Sequence, residues 1–182
     1  MEYERVPRVG VLSATFFVAS LIHVPIGPSS VHLLLAGLMG FLLGWAAFPA
    51  LAAALFLQAI LFGFGGLTSL GANVVNMGAP AVACYYVFAR HVRPETAPGR
   101  AFGLGFGAGA VSVLLSCVLL GGTLFAVGKG FLAVVWAVLA AHVPVMVIEG
   151  LATGSAVAFL HKVRPELLES RGAARGPGGG GS

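Results

Sequence analysis

The stretch Phe62-Gly63-Phe64-Gly65-Gly66-Leu67-Thr68-Ser69-Leu70-Gly71-Ala72-Asn73-Val74-Val75-Asn76-Met77 is glycine-rich and uncharged, carries two asparagines and lies between two strongly apolar segments. Glycine lets a backbone turn sharply and lets other groups approach closely. In a soluble protein such a stretch would be a plain loop. Between apolar flanks it reads as a loop at the rim of a membrane or dipping into it. Uncharged irregular backbone is tolerated at that depth where protein buries it or where it lines a cavity.

Composition supports the membrane reading. Of 182 residues, 58% are hydrophobic and 9% are charged, and the mean hydropathy is +0.99. A soluble domain carries about 25% charged residues, so this chain cannot cover a water-facing surface and is an integral membrane protein. Its length suits one polytopic domain and leaves no room for a separate soluble enzyme domain. The net charge of +4 is small and is read through topology, not as a nucleic-acid footprint. Cys84 and Cys117 sit inside apolar segments at a spacing that suits neither a disulfide framework nor a CxxC site, and read as small packing residues. The start, Met1-Glu2-Tyr3-Glu4-Arg5, is polar and mixed in charge. The apolar run after it is long enough to span, so no cleavable signal peptide is expected.

A spanning helix needs about 20 apolar residues. Working outward from the opening stretch, the third span runs from about Ala50 to Phe64 and the fourth from about Val74 to Val92, with Pro80 as a kink. Upstream, the first runs from about Val9 to Val24 and ends at Pro25 and Pro28. An uncharged turn-forming link follows. The second runs from about Val31 to Ala47, and Pro49 marks the tight turn into the third. Downstream, a basic loop from Arg90 to Arg100 leads to a fifth span, from about Ala101 to Val127. The last run, Phe131 to Val163, is too long for one straight span. It reads as one tilted helix kinked around Pro144, or as a short segment followed by a full helix.

The fold class expected is therefore all-α, a polytopic membrane protein with about six transmembrane helices. Basic residues test the count. With six spans, Arg5, Arg8, Arg90, Arg93, Arg100, Lys162, Arg164, Arg171 and Arg175 share one side, and only Lys129 falls on the other. By the positive-inside rule the crowded side is cytoplasmic, so both termini are inside. The link before His32, the glycine–asparagine stretch and the turn at Lys129 are then outside. Residues 1–168 form one transmembrane domain, and 169–182 read as a flexible glycine-rich tail. Gly103, Gly105, Gly107 and Gly109 in the fifth span allow close helix approach in lipid, either for internal packing or for docking a partner subunit.

Few residues can carry chemistry. His91 and His161 sit beside Arg or Lys at predicted cytoplasmic edges and read as interfacial. His23 and His32 bracket the outer link His23-Val24-Pro25-Ile26-Gly27-Pro28-Ser29-Ser30-Val31-His32. Neutral imidazole is a favoured ligand for nickel, cobalt, zinc and copper. Two histidines nine apart across a proline turn can converge, although the spacing fits no standard metal motif; the alternative is a histidine hydrogen-bonded at a helix end. His142 and Glu149 are seven apart, two helical turns, and so share a helix face within the last apolar run. An ionisable group at that depth is a functional candidate by default, against a structural pair or a glutamate bonded to backbone or to another helix. Gln58, Asn73 and Asn76 are further polar groups in apolar surroundings. The two asparagines can equally cap the fourth span and bond within the loop. No GxxxxGK[ST] phosphate loop and no nucleophile–base pair is present, so the chain reads as no enzyme. Energy for any transport would have to come from a partner or an ion gradient.

Three runs together carry a family resemblance. His23 to Leu33 resembles the outer loop of the CbiM/NikM proteins. Leu57 to Met77 matches theirs as well, and so does His142-Val143-Pro144-Val145-Met146-Val147-Ile148-Glu149-Gly150 with Val163-Arg164-Pro165-Glu166-Leu167-Leu168. These are substrate-capture subunits of energy-coupling-factor transporters for cobalt and nickel, and the likeness extends to about Leu168. It implies an all-helical, multi-pass subunit of the cell membrane that binds Co2+ or Ni2+ from outside as transported substrate, with no organic cofactor. Cobalt import of this kind can serve cobalamin synthesis. Partners implied are a transmembrane coupling subunit and ATP-binding subunits, with room for a small accessory membrane subunit; lipid surrounds the chain and no nucleic acid is involved. His32 matches the family's metal-ligating loop histidine, and His23 is a second candidate. Ser30, Thr68, Asn73 and Asn76 would shape the site. The family begins with Met-His-Ile on an extra helix whose amino-terminal nitrogen and histidine join the loop histidine. This chain begins Met1-Glu2-Tyr3, and its first span matches the family's second. A vitamin-capture subunit of the same transporter type and a non-binding structural or assembly protein are the alternatives. The small, aromatic-poor outer loop argues against a flat organic ligand.

Overall fold

The computed structural model describes residues 6–21, 23–26, 29–32, 35–63, 65–128, 130, 132–165 and 168. Among the described residues there are six α-helices: α1 Val6–Leu21, α2 Ala36–Leu43, α3 Ala47–Phe62, α4 Leu70–Val87, α5 Pro98–Val127 and α6 Leu132–Val163. Between α1 and α2 lies a two-stranded antiparallel ribbon, β1 His23–Ile26 and β2 Ser29–His32. The body is helical as expected. Of the link at 25–30, expected as a turn, Pro25 and Ile26 end β1 and Ser29 and Ser30 begin β2, while 27 and 28 lie outside the described residues. Pro25 and Pro28 oppose a helix there, while Val24, Ile26 and Val31 are β-branched and suit a strand. In a ribbon of two strands both are edges, where proline is tolerated.

Adjacent helices alternate in direction. Phe17 and Phe62 bring their rings to 5.9 Å, so α1 and α3 end together. Gly40 lies against Ala81 and Gly44 against the Tyr85 ring, four residues on along both helices, so α2 runs parallel to α4. Gly107 meets the Phe88 ring, and Ser116 Oγ donates to the Asn76 carbonyl at 2.9 Å, so α5 runs antiparallel to α4. Gly105 faces Gly154, Gly109 faces Gly150 and Gly121 faces Val135, so α5 and α6 form a long antiparallel pair. The fifth-span glycines thus divide by role. A Cβ on Gly109 would meet the Gly150 Cα at 2.9 Å, whereas one on Gly103 would meet nothing within 4 Å. Gly105 and Gly109 serve internal packing, the close-approach use of small residues in lipid.

The helix ends correct several expected boundaries. The turn into the third span falls at a 3₁₀ segment, Gly44–Ala46, and not at Pro49, which occupies the first turn of α3, where its missing N–H breaks no helical bond. Gly44 has φ +57° and ends α2 after eight residues, about 12 Å. The second span expected from Val31 to Ala47 is thus strand first and short helix after. α4 begins at Leu70, four residues before expectation, so Asn73 and Asn76 stand in its first two turns and not in the loop. α6 is one 32-residue helix that contains Pro144. Among the described residues, three helical runs have the length and hydropathy to cross a membrane: Ala36–Phe62 taken through the 3₁₀ turn, Pro98–Ala126 and Leu132–Val163. The first of these is not one rod, because its two parts pack on α4 in opposite senses.

At one end of the bundle His161 Nε2 lies 3.0 Å from the Arg93 carbonyl. This joins the end of α6, with Lys162 and Arg164, to the α4–α5 link, with Arg90, Arg93 and Arg100. The ribbon and the 63–69 loop follow the ends of α1 and α3, at the opposite end. Arg5, Lys129, Arg171, Arg175 and the tail 169–182 lie outside the described residues.

Candidate functional site

The ribbon register pairs His23 with His32, Val24 with Val31, Pro25 with Ser30 and Ile26 with Ser29. Two residues nine apart in sequence thus become direct cross-strand partners. Directly opposed positions in an antiparallel pair have Cβ atoms about 5 Å apart, a separation that two ligands of one ion can use. By the two-residue period of a strand, positions 23, 25, 30 and 32 share one face of the ribbon. The side chains of His23, Ser30 and His32 lie outside the described residues. Among the described residues, no three His, Cys, Asp or Glu side chains gather as a metal-ligand group.

At the same end of the bundle as the ribbon, the connection from α3 to α4 turns at its glycines. Gly63, Gly65 and Gly66 all have φ near +70°, a region costly to residues with a Cβ. Ser69 Oγ donates to the Gly65 carbonyl and fastens the loop to the start of α4. Asn73 lies across it: a Cβ on Gly65 would sit 2.7 Å from Asn73 Nδ2, and Nδ2 is 3.5 Å from Ser69 Oγ, the outer limit of a hydrogen bond. Thr68 is exposed at the tip. Asn76, one turn deeper, gives its carbonyl to Ser116, and its Oδ1 is buried with no hydrogen-bond partner among the described residues. The structure therefore brings Thr68 and Asn73 into one loop-and-helix corner and sets Asn76 below it, facing α5.

The intramembrane polar residues separate. His142 Nδ1 engages the Val138 carbonyl of its own helix at 2.8 Å. Gln58 is buried on α3. Glu149 is fully buried, and its Oε1 accepts the backbone N–H of Leu35 at 2.8 Å. Leu35 is the residue before α2 and has φ +45°, ψ 20°, the one non-glycine residue at positive φ among the described residues. A helix start leaves N–H groups unsatisfied and carries partial positive charge. A carboxylate placed there satisfies both needs, and no side chain near Leu35 in sequence supplies a cap. Of the alternatives weighed for Glu149, bonding to the backbone of another element is the one observed. Position 149 stands 17 residues into α6, about 26 Å from its start at 1.5 Å per residue. The ribbon therefore hands over to α2 roughly halfway along α6. This fits the brevity of α2: β2 precedes it in that passage, and α2 takes only the remainder.

Leu35 was not legible as a site residue, since a leucine in an apolar run carries no signal of a left-handed backbone. Ser112 and Ser116 are likewise buried hydroxyls on α5 that bond to the Gly109 and Asn76 carbonyls. A serine in a transmembrane segment with no partner in sequence gives no indication of which helix it joins.

Comparison with known proteins identifies the scaffold. A family model described as CbiM, cobalt uptake substrate-specific transmembrane region, matches residues 1–167. A putative metal transport protein of Haemophilus influenzae is 40% identical, with 92% of this chain and 82% of that protein covered. Cobalt transport protein CbiM of Sorangium cellulosum is 32% identical, over 90% of this chain and 76% of its own length. A fused nickel transport protein, NikMN of Rhodobacter capsulatus, is 34% identical over 96% of this chain, which spans 56% of it. A crystal structure of a transition metal transporter superposes with a TM-score of 0.71 at 27% identity, covering 97% of this chain and 85% of that one.

Proposed function

The chain belongs to the CbiM family of cobalt and nickel transport membrane proteins, and we propose that it is the subunit that captures the cation. It takes Co2+ or Ni2+ from outside the cell as substrate of an ATP-driven importer of the energy-coupling-factor type. The observation that carries this reading is the register of the ribbon, which sets His23 opposite His32. Two neutral imidazoles suit a borderline divalent ion of either kind. In this reading His32 is the principal ligand on the chain and His23 its partner. Ser30, Thr68, Asn73 and Asn76 form the polar wall through which the hydrated ion loses water. Asn76 Oδ1, a buried acceptor with no described partner, suits an aqua ligand at that wall.

The chain crosses the cell membrane six times with both ends inside, as one transmembrane domain. Supporting this are the alternating helix directions and the gathering of Arg90, Arg93, Arg100, Lys162 and Arg164 at the end opposite the ribbon, the side that is cytoplasmic by the positive-inside rule. ATP hydrolysis belongs to separate ATP-binding subunits linked through a transmembrane coupling subunit. Calorimetry of the detergent-purified full chain with cobalt, nickel and a panel of vitamins tests the reading. Saturable binding of the metals and no heat from the vitamins is expected. Saturable vitamin binding without metal binding would replace the proposal with the vitamin-capture alternative.

A further inference from the structure

The contact between Glu149 and Leu35 has no role in the capture chemistry just described, yet it joins two parts of the chain 114 residues apart. Leu35 follows His32 by three residues and stands where the ribbon's chain turns into α2. Its left-handed backbone is unfavourable for a leucine by about 1–2 kcal/mol, so the bend persists only where the surroundings impose it. Glu149 is fully buried on α6, and its Oε1 takes the Leu35 N–H at 2.8 Å. Behind the bend, Gly37 sits so close to α5 that a Cβ there would lie 2.6 Å from the Ala108 carbonyl oxygen. The first turn of α2 is thereby held on both sides, by the carboxylate of α6 and by the backbone of α5.

We propose that Glu149 is a positioning residue for metal capture. By holding the left-handed Leu35 it fixes the depth and exit direction of β2, and with them the register position of His32 relative to the 63–69 loop. The inference rests on the capture reading above. It explains why a carboxyl group is kept at membrane depth, where an acidic side chain is costly. The positive end of the short helix and one backbone N–H stabilise it there, and in return it orders a bend that the local sequence disfavours. A glycine at position 35 would hold the same backbone without help.

Glu149→Ala, Glu149→Gln, Leu35→Gly and the double variant Glu149→Ala/Leu35→Gly test this in the full chain, with His32→Ala measured beside them. The readouts are hydrogen exchange of the Leu35 amide and cobalt affinity. In Glu149→Ala the amide should exchange faster and cobalt affinity fall, each about tenfold, the loss expected when a buried donor is left without its acceptor. Glu149→Gln keeps an acceptor oxygen and should stay within about threefold of wild type. The double variant should regain most of the affinity, because glycine supplies the bend, while its amide still exchanges fast. Should Glu149→Ala fail to fold, Glu149→Gln decides: loss of affinity as complete as in His32→Ala, with the amide still protected, would make Glu149 a charged ligand and overturn the positioning role. Wild-type affinity in Glu149→Ala, with binding lost in His32→Ala, would overturn the positioning role and leave the capture reading intact. Unchanged affinity in His32→Ala would overturn the capture reading itself.

Discussion

His23 and His32 are direct cross-strand partners in an antiparallel ribbon of two four-residue strands. Ten residues of sequence, two of them proline, run so that two imidazole-bearing positions meet across one ladder step. A helical continuation from His32 would have carried the two apart by the helix rise. The ribbon is thus the element that turns a pair of histidines into a candidate cation site, and the other parts of the molecule bear on how it is held.

The tightness of the α5–α6 pair should be visible in stability. A Cβ on Gly109 has the Gly150 Cα at 2.9 Å, and backbone cannot yield as a side-chain tip does. Gly109→Val should lower stability by about 3 kcal/mol or more, at or above the upper end for overpacking, whereas Gly103→Ala, with open space around it, should be neutral or slightly stabilising. Thermal unfolding in detergent of the two variants beside wild type checks this; equal melting would mean that the helices are not in backbone contact there.

Ser116 and Ser112 offer a paired comparison. The Ser116 hydroxyl bridges α5 to α4 through the Asn76 carbonyl, and the Ser112 hydroxyl bonds back to Gly109 within its own helix. Ser116→Ala should cost about 1 kcal/mol, a typical net hydrogen bond, and loosen the wall beneath Asn73. Ser112→Ala removes only a bond within one helix and should cost less. Denaturant titration gives the order, and a larger loss for Ser112→Ala would contradict the assignment of Ser116 as the inter-helix tie.

Loop geometry should matter for capture more than for folding. Gly65 combines φ +71° with Asn73 Nδ2 at 2.7 Å from a would-be Cβ. Gly65→Ala therefore carries the left-handed penalty of about 1–2 kcal/mol and displaces Asn73. Cobalt affinity measured by calorimetry should fall several-fold while the melting temperature changes little. A large drop in melting temperature with affinity intact would assign the loop to structure alone.

Sidedness is testable with the chain's own cysteines left in place, since Cys84 and Cys117 are buried. Thr68→Cys should react with a membrane-impermeant maleimide on intact cells. Arg164→Cys, at the basic end, should react only after the cells are opened. Labelling of Arg164→Cys from outside would reverse the proposed orientation.

Hydropathy and charge made most of the scaffold readable. The ends of α1, α5 and α6 fall within about three residues of the apolar runs that foretold them, because each is long and flanked by polar or turn residues. The ribbon and α2 were not readable in the same way. Apart from His32, Val31 to Ala47 is apolar, and hydropathy cannot tell a strand or a short helix sheltered by protein from a spanning helix. The early start of α4 was hidden for a related reason: asparagine near a glycine run signals a loop by local rules, yet here the Asn73 amide packs back against Gly65 from the first turn of the helix. Glu149 was legible as unusual but not as the partner of Leu35, since a link across 114 residues exists only once α2 and α6 are packed.

Cobalt titration of purified wild-type chain, His32→Ala, His23→Ala and His142→Ala by calorimetry bears most directly on the central claim that the paired ribbon histidines hold the cation. Affinity should fall by at least about tenfold in His32→Ala and clearly in His23→Ala, as loss of a direct ligand is no milder than loss of its supporting partners. His142→Ala, whose ring is engaged with the Val138 carbonyl of its own helix, should bind as wild type does. Undiminished cobalt binding in both His23→Ala and His32→Ala would contradict the account.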